Sequence, residues 1–216
     1  MKFAFLKGSL FVFCFLLFVT VQAQSNKKIF ENPKLKEIAS LHKTVAILPY
    51  QVTIKMKKMP KNVTQEDINK QQKQEATNIQ NSMYTFLLRK SSKYFVTFQD
   101  VAKTNALLAQ NQITIENLDT FTKDQVAKIL GVDAIISGSL ITDKPVSEGG
   151  AMVVGFLTGF GMKTNEAKVM MSINNGTDGE LLWRYDRQVA GGVGSSTDDL
   201  IDRIMRQIAR NFPYDK

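Results

Sequence analysis

The side chains best suited to chemistry are few and lie far apart in this chain. His42 is the only histidine, and no serine or aspartate pattern marks the partners that a catalytic triad would need. A lone histidine without clustered carboxylates is also a poor metal site. Asp133, Asp143 and Glu148 lie near the ends of one predicted strand, whereas glycoside hydrolysis needs two carboxylates that flank a cleft. These residues predict no catalytic site, no metal and no cofactor.

A later stretch, residues 155–164, superficially resembles a phosphate-binding loop. The pattern fails because Met162 separates Gly161 from Lys163 and because the glycine spacing is one residue too long. We therefore expect no nucleotide site, and we expect the protein not to be an enzyme.

The same region has a second unusual property. Residues 149–162 carry no charge and include five glycines, although they connect two predicted strands, where a short polar loop is usual. The segment is too short to cross a bilayer as a helix. Three interpretations stay open: a loop folded over the core, a subunit contact, or a membrane contact. The predicted interface consists of this loop and one face of a hairpin, through Met152, Val153, Val154, Phe156, Leu157, Phe160, Met162 and Trp183.

The elements that must position these residues alternate along the chain. The apolar run at residues 44–50 predicts a strand buried on both faces. Thr64, with Asp67 three residues later, predicts the start of a long helix. Residues 122–131 predict a shorter helix that begins at a capping box and ends at a glycine, directly before another buried strand at residues 132–141.

The last third of the chain predicts a hairpin and a closing helix. Residues 168–174 and 180–189 read as strands joined by Asn-Gly and Asp-Gly steps, which favour a tight turn. An apolar stripe at helical spacing follows in residues 201–212. The order of elements predicts an α/β fold: a mixed β-sheet flanked by helices, with a C-terminal β-hairpin and a closing helix. We expect one domain over residues 43–216, preceded by a basic leading segment, residues 24–42, that forms a tether or a short helix.

The amino terminus predicts export. Residues 1–23 combine a basic start, an unbroken apolar run and small residues before Ala23, the layout of a signal peptide cleaved after that alanine. The expected location is the periplasm or the periphery of the outer membrane. Cys14, the only cysteine, lies inside this segment, so the mature chain would contain no disulfide and no thiolate metal site.

Lysines dominate the charge of the first third of the chain. The formal charge of +8 falls to +6 without Lys2 and Lys7. Three roles are open for a basic surface of this kind: it is simply solvated, it contacts an anionic membrane, or it binds a polyanionic polymer. Nucleic acid is not an expected partner, because the chain is exported and has no recognisable nucleic-acid-binding motif.

Three segments carry a resemblance to a known superfamily. Residues 43–50, residues 126–140 and residues 174–183 are similar, in order and spacing, to segments of bacterial envelope proteins related to the curli-export channel subunit and the amino-terminal domain of TolB. This superfamily includes lipoproteins that activate penicillin-binding proteins. The resemblance implies a non-enzymatic α/β module that works through contacts with other proteins. Two features depart from it: no cysteine is placed for a lipid anchor, and the apolar loop is shorter than a pair of membrane-crossing hairpins.

The sequence therefore favours an exported, non-enzymatic accessory protein that binds envelope proteins of an assembly or secretion machine. One alternative is a membrane-inserting subunit that assembles as a homo-oligomer in a secretion channel. The other alternative is an exported hydrolase.

Overall fold

The computed structural model describes residues 27–55, 59, 63–142, 166–190, 197–209 and 212–216. These ranges contain seven strands and five helices. In chain order they are β1 (Lys27–Glu31), α1 (Leu35–Ala39), β2 (Thr44–Ile47), β3 (Gln51–Ile54), α2 (Gln65–Arg89), β4 (Thr97–Phe98), α3 (Val101–Gln110), α4 (Lys123–Leu130), β5 (Ala134–Thr142), β6 (Glu166–Asn175), β7 (Leu181–Ala190) and α5 (Thr197–Ile208).

All seven strands belong to one mixed sheet. Its order is β1-β7-β6-β5-β2-β4, and β3 follows β2 along the same edge of β5. Strands β2, β3 and β4 run parallel to their neighbours, whereas β5, β6, β7 and β1 form an antiparallel meander. The expected mixed sheet with a C-terminal hairpin and a closing helix is confirmed.

Helices cover the two faces of this sheet unequally. One face packs against α1, α2 and α5 in the larger apolar cluster, which includes Ile79, Met83 and Ile204 from the helices. The other face packs against α3 and α4 in a smaller cluster around Leu108 and Leu130. The result is a three-layer α/β arrangement with one thick core and one thin core.

Local sequence signals explain where the helices begin and end. At the start of α2, the Thr64 hydroxyl accepts a hydrogen bond from the Asp67 backbone N–H at 3.2 Å, and the Asp67 carboxylate accepts one from the Thr64 N–H at 2.8 Å. This is the predicted capping box. Helix α4 ends at Gly131, whose φ of +66° is the left-handed conformation that glycine adopts without strain.

Two predictions about individual segments were incomplete. The leading segment contains β1, which pairs with β7 at the edge of the sheet, so residues 27–31 are part of the domain rather than a tether. The strand expected at residues 94–98 is reduced to Thr97–Phe98, because residues 91–93 form a turn of 3₁₀ helix and Tyr94 makes only an isolated bridge to Asp215. None of the described helices is both long enough and apolar enough to cross a membrane.

Candidate functional site

The smaller apolar cluster covers only part of the second sheet face. From the long strands β5, β6 and β7 it includes Ile135 alone. Beyond Ile135, the side chains of β5 that point to this face are Ser137, Ser139 and Ile141, all half-buried. Because side chains alternate between faces along a strand, this face continues onto β6, β7 and β1, where its side chains are half-buried or exposed except for the buried Ser172.

We call this region the open face and define it by the strand register. Its rows run across the sheet through directly opposed residues. The open face consists of Ser137, Ser139, Ile141, Lys168, Met170, Ser172, Arg184, Asp186, Gln188, Lys28 and Phe30. Phe30 is 47% exposed, which is unusual for a phenylalanine within a sheet.

The electrostatics of the open face are dominated by one ion pair. Arg184 donates from Nε and Nη2 to the two carboxylate oxygens of Asp186, at 2.8 and 3.0 Å. This hydrogen bonding raises the pKa of Arg184. In the same row as Arg184, the hydroxyls of Ser137 and Ser172 lie 3.0 Å apart. The open face therefore presents oriented polar groups together with three apolar side chains, Phe30, Ile141 and Met170.

Trp183, which the sequence analysis placed at an interface, points the other way. Its side chain has no exposure and stacks on Tyr185 with the ring centroids 6.1 Å apart. Both side chains belong to the larger core. The strand alternation that the sequence predicted is present, but the face with Trp183 is the one that α5 and α2 cover. The exposed face of the hairpin is that of Arg184 and Asp186.

The remaining predicted interface residues, Met152 to Met162, lie outside the described residues. The same is true of Asp143, of Glu148 and of residues 155–164, which resemble a phosphate-binding loop. The structure does place the two ends of this connection. Thr142 ends β5 and is paired with Ala167, the second residue of β6. The connection between β5 and β6 therefore begins and ends at the pair of Thr142 and Ala167, next to the row of Ile141, Lys168 and Gln188.

His42 lies at the amino end of β2 and connects three distant segments. Its Nδ1 is 2.8 Å from the Tyr214 hydroxyl, and its Nε2 is 3.3 Å from Oδ1 of Asn175. The amide nitrogen of Asn175 donates to Asp178, so its oxygen faces the imidazole and accepts from Nε2–H. Nδ1 then accepts from Tyr214. Both ring nitrogens of a neutral histidine are engaged in structural contacts.

The surroundings of His42 favour that neutral form. Burial lowers the pKa of His42, against the opposing influence of the Asn175 hydrogen bond and the nearby Asp133 carboxylate. Asp133 accepts from the backbone N–H groups of Lys43 and Thr44, both at 2.8 Å. These bonds hold the pKa of Asp133 low, although burial acts in the opposite direction. Asp133 thus fixes the start of β2.

A cavity of about 240 Å³ lies between α2 and α3. It is lined by Pro49, Thr77, Asn105, Leu108, Ile113, Thr114, Ile115 and Leu118. Asn105 and Gln80 form a reciprocal amide pair in which each bond measures 3.1 Å. The cavity lies beyond the carboxyl end of β2, the usual place for ligands in α/β sheets. Its lining contains no charged residue, so it offers space and amide groups rather than a reactive centre.

No group of three or more potential metal ligands comes together among the residues that the structure describes. In the part of the chain that the structure describes, the fold and the site define a three-layer α/β arrangement with one half-uncovered sheet face.

Among the comparisons with known proteins, the one with solved structures finds matches. No protein-family model and no curated protein matches the chain. The chain is similar to the lipoprotein GNA1162 from Neisseria meningitidis, with 12% identity, a TM-score of 0.45, and coverage of 78% of this chain and 98% of the other. It is also similar to LpoB from E. coli, with 10% identity, a TM-score of 0.42, and coverage of 73% and 64%. The PelC dodecamer from Paraburkholderia phytofirmans matches at 10% identity and a TM-score of 0.38, with coverage of 89% and 99%.

The open face was missed in the sequence analysis. Its signal was present in the alternation of Arg184, Asp186 and Gln188 with Trp183 and Tyr185. The contribution of β1 could not be found in the same way, because the five residues of β1 include three charged side chains.

Proposed function

We propose that this chain is an exported, non-enzymatic accessory protein that binds partner proteins of a cell-envelope assembly or secretion machine. The observation that carries the proposal is the open face. A sheet that is thoroughly packed on one side leaves four strands half-uncovered on the other, and solvent-facing polar rows with exposed apolar side chains suit a protein contact. The export part of the proposal rests on the predicted signal peptide and its cleavage after Ala23.

The contact surface in this proposal combines the open face with the apolar loop. The loop, with Phe156 and Phe160, belongs to the connection between β5 and β6, whose two described ends lie next to the row of Ile141 and Lys168. Apolar residues next to a polar surface are typical of the centre and rim of an interface.

The test is co-purification from envelope extracts with variants of each part. Met170→Asp changes the open face, and Phe156→Asp with Phe160→Asp changes the loop. Both should remove the same co-purifying proteins while the melting temperature stays close to that of the unchanged chain. Lys103→Glu on α3 is the control, because Lys103 is exposed on a different surface. The affinity tag belongs between Ala23 and Lys27, since Tyr214 is fully buried near the other end.

Two results would contradict the proposal. Identical sets of co-purifying proteins for Met170→Asp and the unchanged chain would exclude the open face. A large drop in melting temperature for the phenylalanine variants would show that the loop belongs to the core.

The oligomeric membrane-inserting alternative has its own test, because it requires stable multi-subunit particles in detergent. The hydrolase alternative requires that the unchanged chain has a hydrolytic activity and that His42→Gln loses this activity while its fold stays intact.

A further inference from the structure

Strand β1 is the last strand of the sheet among the residues that the structure describes. Within those residues it pairs with β7 alone, so its other edge has no described strand beside it. Asn32 directly follows β1, and its N–H donates to the Leu182 carbonyl at 2.8 Å. In an antiparallel pair, hydrogen-bonded positions alternate. The backbone groups of Lys28 and Phe30 therefore face β7, and those of Lys27, Ile29 and Glu31 face outward.

An open edge of this kind accepts another strand unless its side chains prevent it. Charged residues usually serve as that protection, because two copies of an edge with one sign of charge repel each other. The sequence of β1 is Lys-Lys-Ile-Phe-Glu, with opposite charges at its two ends. Two antiparallel copies centred on Ile29 would place Lys27 opposite Glu31 of the second copy, twice.

The same register also gives the side chains of Lys28, Ile29 and Phe30 favourable neighbours in the second copy. Lys28 would oppose Phe30 of the second copy on the open face, where a lysine can lie over the exposed aromatic ring. The two Ile29 side chains would meet on the side of the sheet that carries the larger core, against which Ile29 already packs. Lys27, Ile29 and Glu31 carry the outward backbone groups, so the ladder would consist of hydrogen-bonded pairs.

We infer that a second copy of this chain docks at β1, edge to edge and antiparallel about Ile29, to form a two-fold symmetric dimer with one continuous sheet. The complementary charges select this register over a parallel one, which would place Lys27 against Lys27 and Glu31 against Glu31. The contact is isologous, so it closes at two copies and does not propagate. It is independent of the proposed function, because the dimer requires neither a partner protein nor the apolar loop.

The test is a charge-swap experiment on the chain from Gln24 onward, which retains every described residue. Molar mass is measured by sedimentation across the micromolar concentration range. The unchanged chain should dimerise. Lys27→Glu alone and Glu31→Lys alone each create two like-charged pairs, so each should raise the dimer dissociation constant at least about tenfold. An equimolar mixture of the two variants restores both opposite pairs, and it should form heterodimers.

Controls separate the strand contact from a general effect of charge. Lys103→Glu and Glu37→Lys change the net charge equally at exposed positions on α3 and α1, and both should dimerise like the unchanged chain. The inference is overturned if the unchanged chain stays monomeric at every concentration, or if the two variants fail to associate when mixed. A ring of more than two copies, or equal weakening by the controls, would also overturn it.

Discussion

The two faces of strand β7 differ sharply in how far their side chains are buried. On one face, Trp183 and Tyr185 have no exposure and lie under helices of the larger core. On the other face, Arg184 and Asp186 form an ion pair whose side chains are 43% and 25% exposed. Consecutive residues of one strand thus differ in burial. The face of Trp183 and Tyr185, the closed face, is packed in the core, and the open face is partly exposed.

The sharpest way to test this difference is to truncate neighbouring residues. Trp183→Ala should lower the free energy of unfolding by about 3–5 kcal/mol, because it removes the largest fully buried side chain from the core. Arg184→Ala should change it by less than about 1 kcal/mol, since a partly exposed ion pair contributes little. Urea unfolding of both variants gives the comparison directly. Equal losses would show that the open face is also part of the stabilising core.

A second pair of neighbours tests the same contrast on β5. A methyl group on Gly138 would overlap both the Met170 carbonyl oxygen and the Tyr50 ring, so the closed face has no room for it. Gly138→Ala should cost about 1–3 kcal/mol through overpacking. Ser139→Ala, one residue further and on the open face, should be close to neutral. The comparison fails if thermal melting ranks the two variants in the opposite order.

A smaller effect concerns the helix that covers the closed face. Thr64→Ala removes the side-chain acceptor of the capping box at the start of α2, and it should cost about 1 kcal/mol. Thr64→Ser keeps the hydroxyl and should restore most of the stability. If alanine and serine behave alike in chemical unfolding, the cap does not contribute to holding α2 on the sheet.

The last prediction is a dependence on pH. Since the pKa of His42 is lowered in the folded chain, the unfolded chain binds a proton more readily. The stabilising contribution is therefore complete above the ordinary histidine pKa of about 6.5 and is lost as the pH falls below it. His42→Gln should be less stable at neutral pH and should lose less on acidification. Melting temperatures of both proteins between neutral pH and pH 5 measure the two slopes. Parallel slopes would assign the acid sensitivity to other groups.

Much of this fold could be predicted from local patterns. The caps at Thr64 and Thr122, the glycine at Gly131 and the hairpin of β6 and β7 follow from residue types at fixed spacing, and each lies where the sequence placed it. These features depend on a few neighbouring residues. Because the residues that determine each feature are close together in the sequence, the features could be predicted from the sequence alone.

Features that depend on distant partners could not be predicted. The sequence of β7 gives two alternating faces but does not say which one a helix covers, and the indole of Trp183 suggested a surface contact. Strand β1 is specified by its pairing with β7 rather than by its own composition. The role of His42 likewise depends on Tyr214, which is 172 residues away. The candidate site thus required the tertiary structure, whereas the fold class did not.

The placement of Tyr214 also bears on when the chain can fold. Its ring is fully buried and holds His42, while the Lys216 N–H donates to the Lys93 carbonyl at 2.9 Å. At the opposite edge of the sheet, β1 has no strand partner until β7 exists. A chain that emerges from a ribosome amino end first cannot complete the β1–β7 pairing before residue 187 has emerged, and it cannot complete the Tyr214 contact before residue 214 has emerged. The complete folded state is therefore postponed until almost the whole chain has emerged.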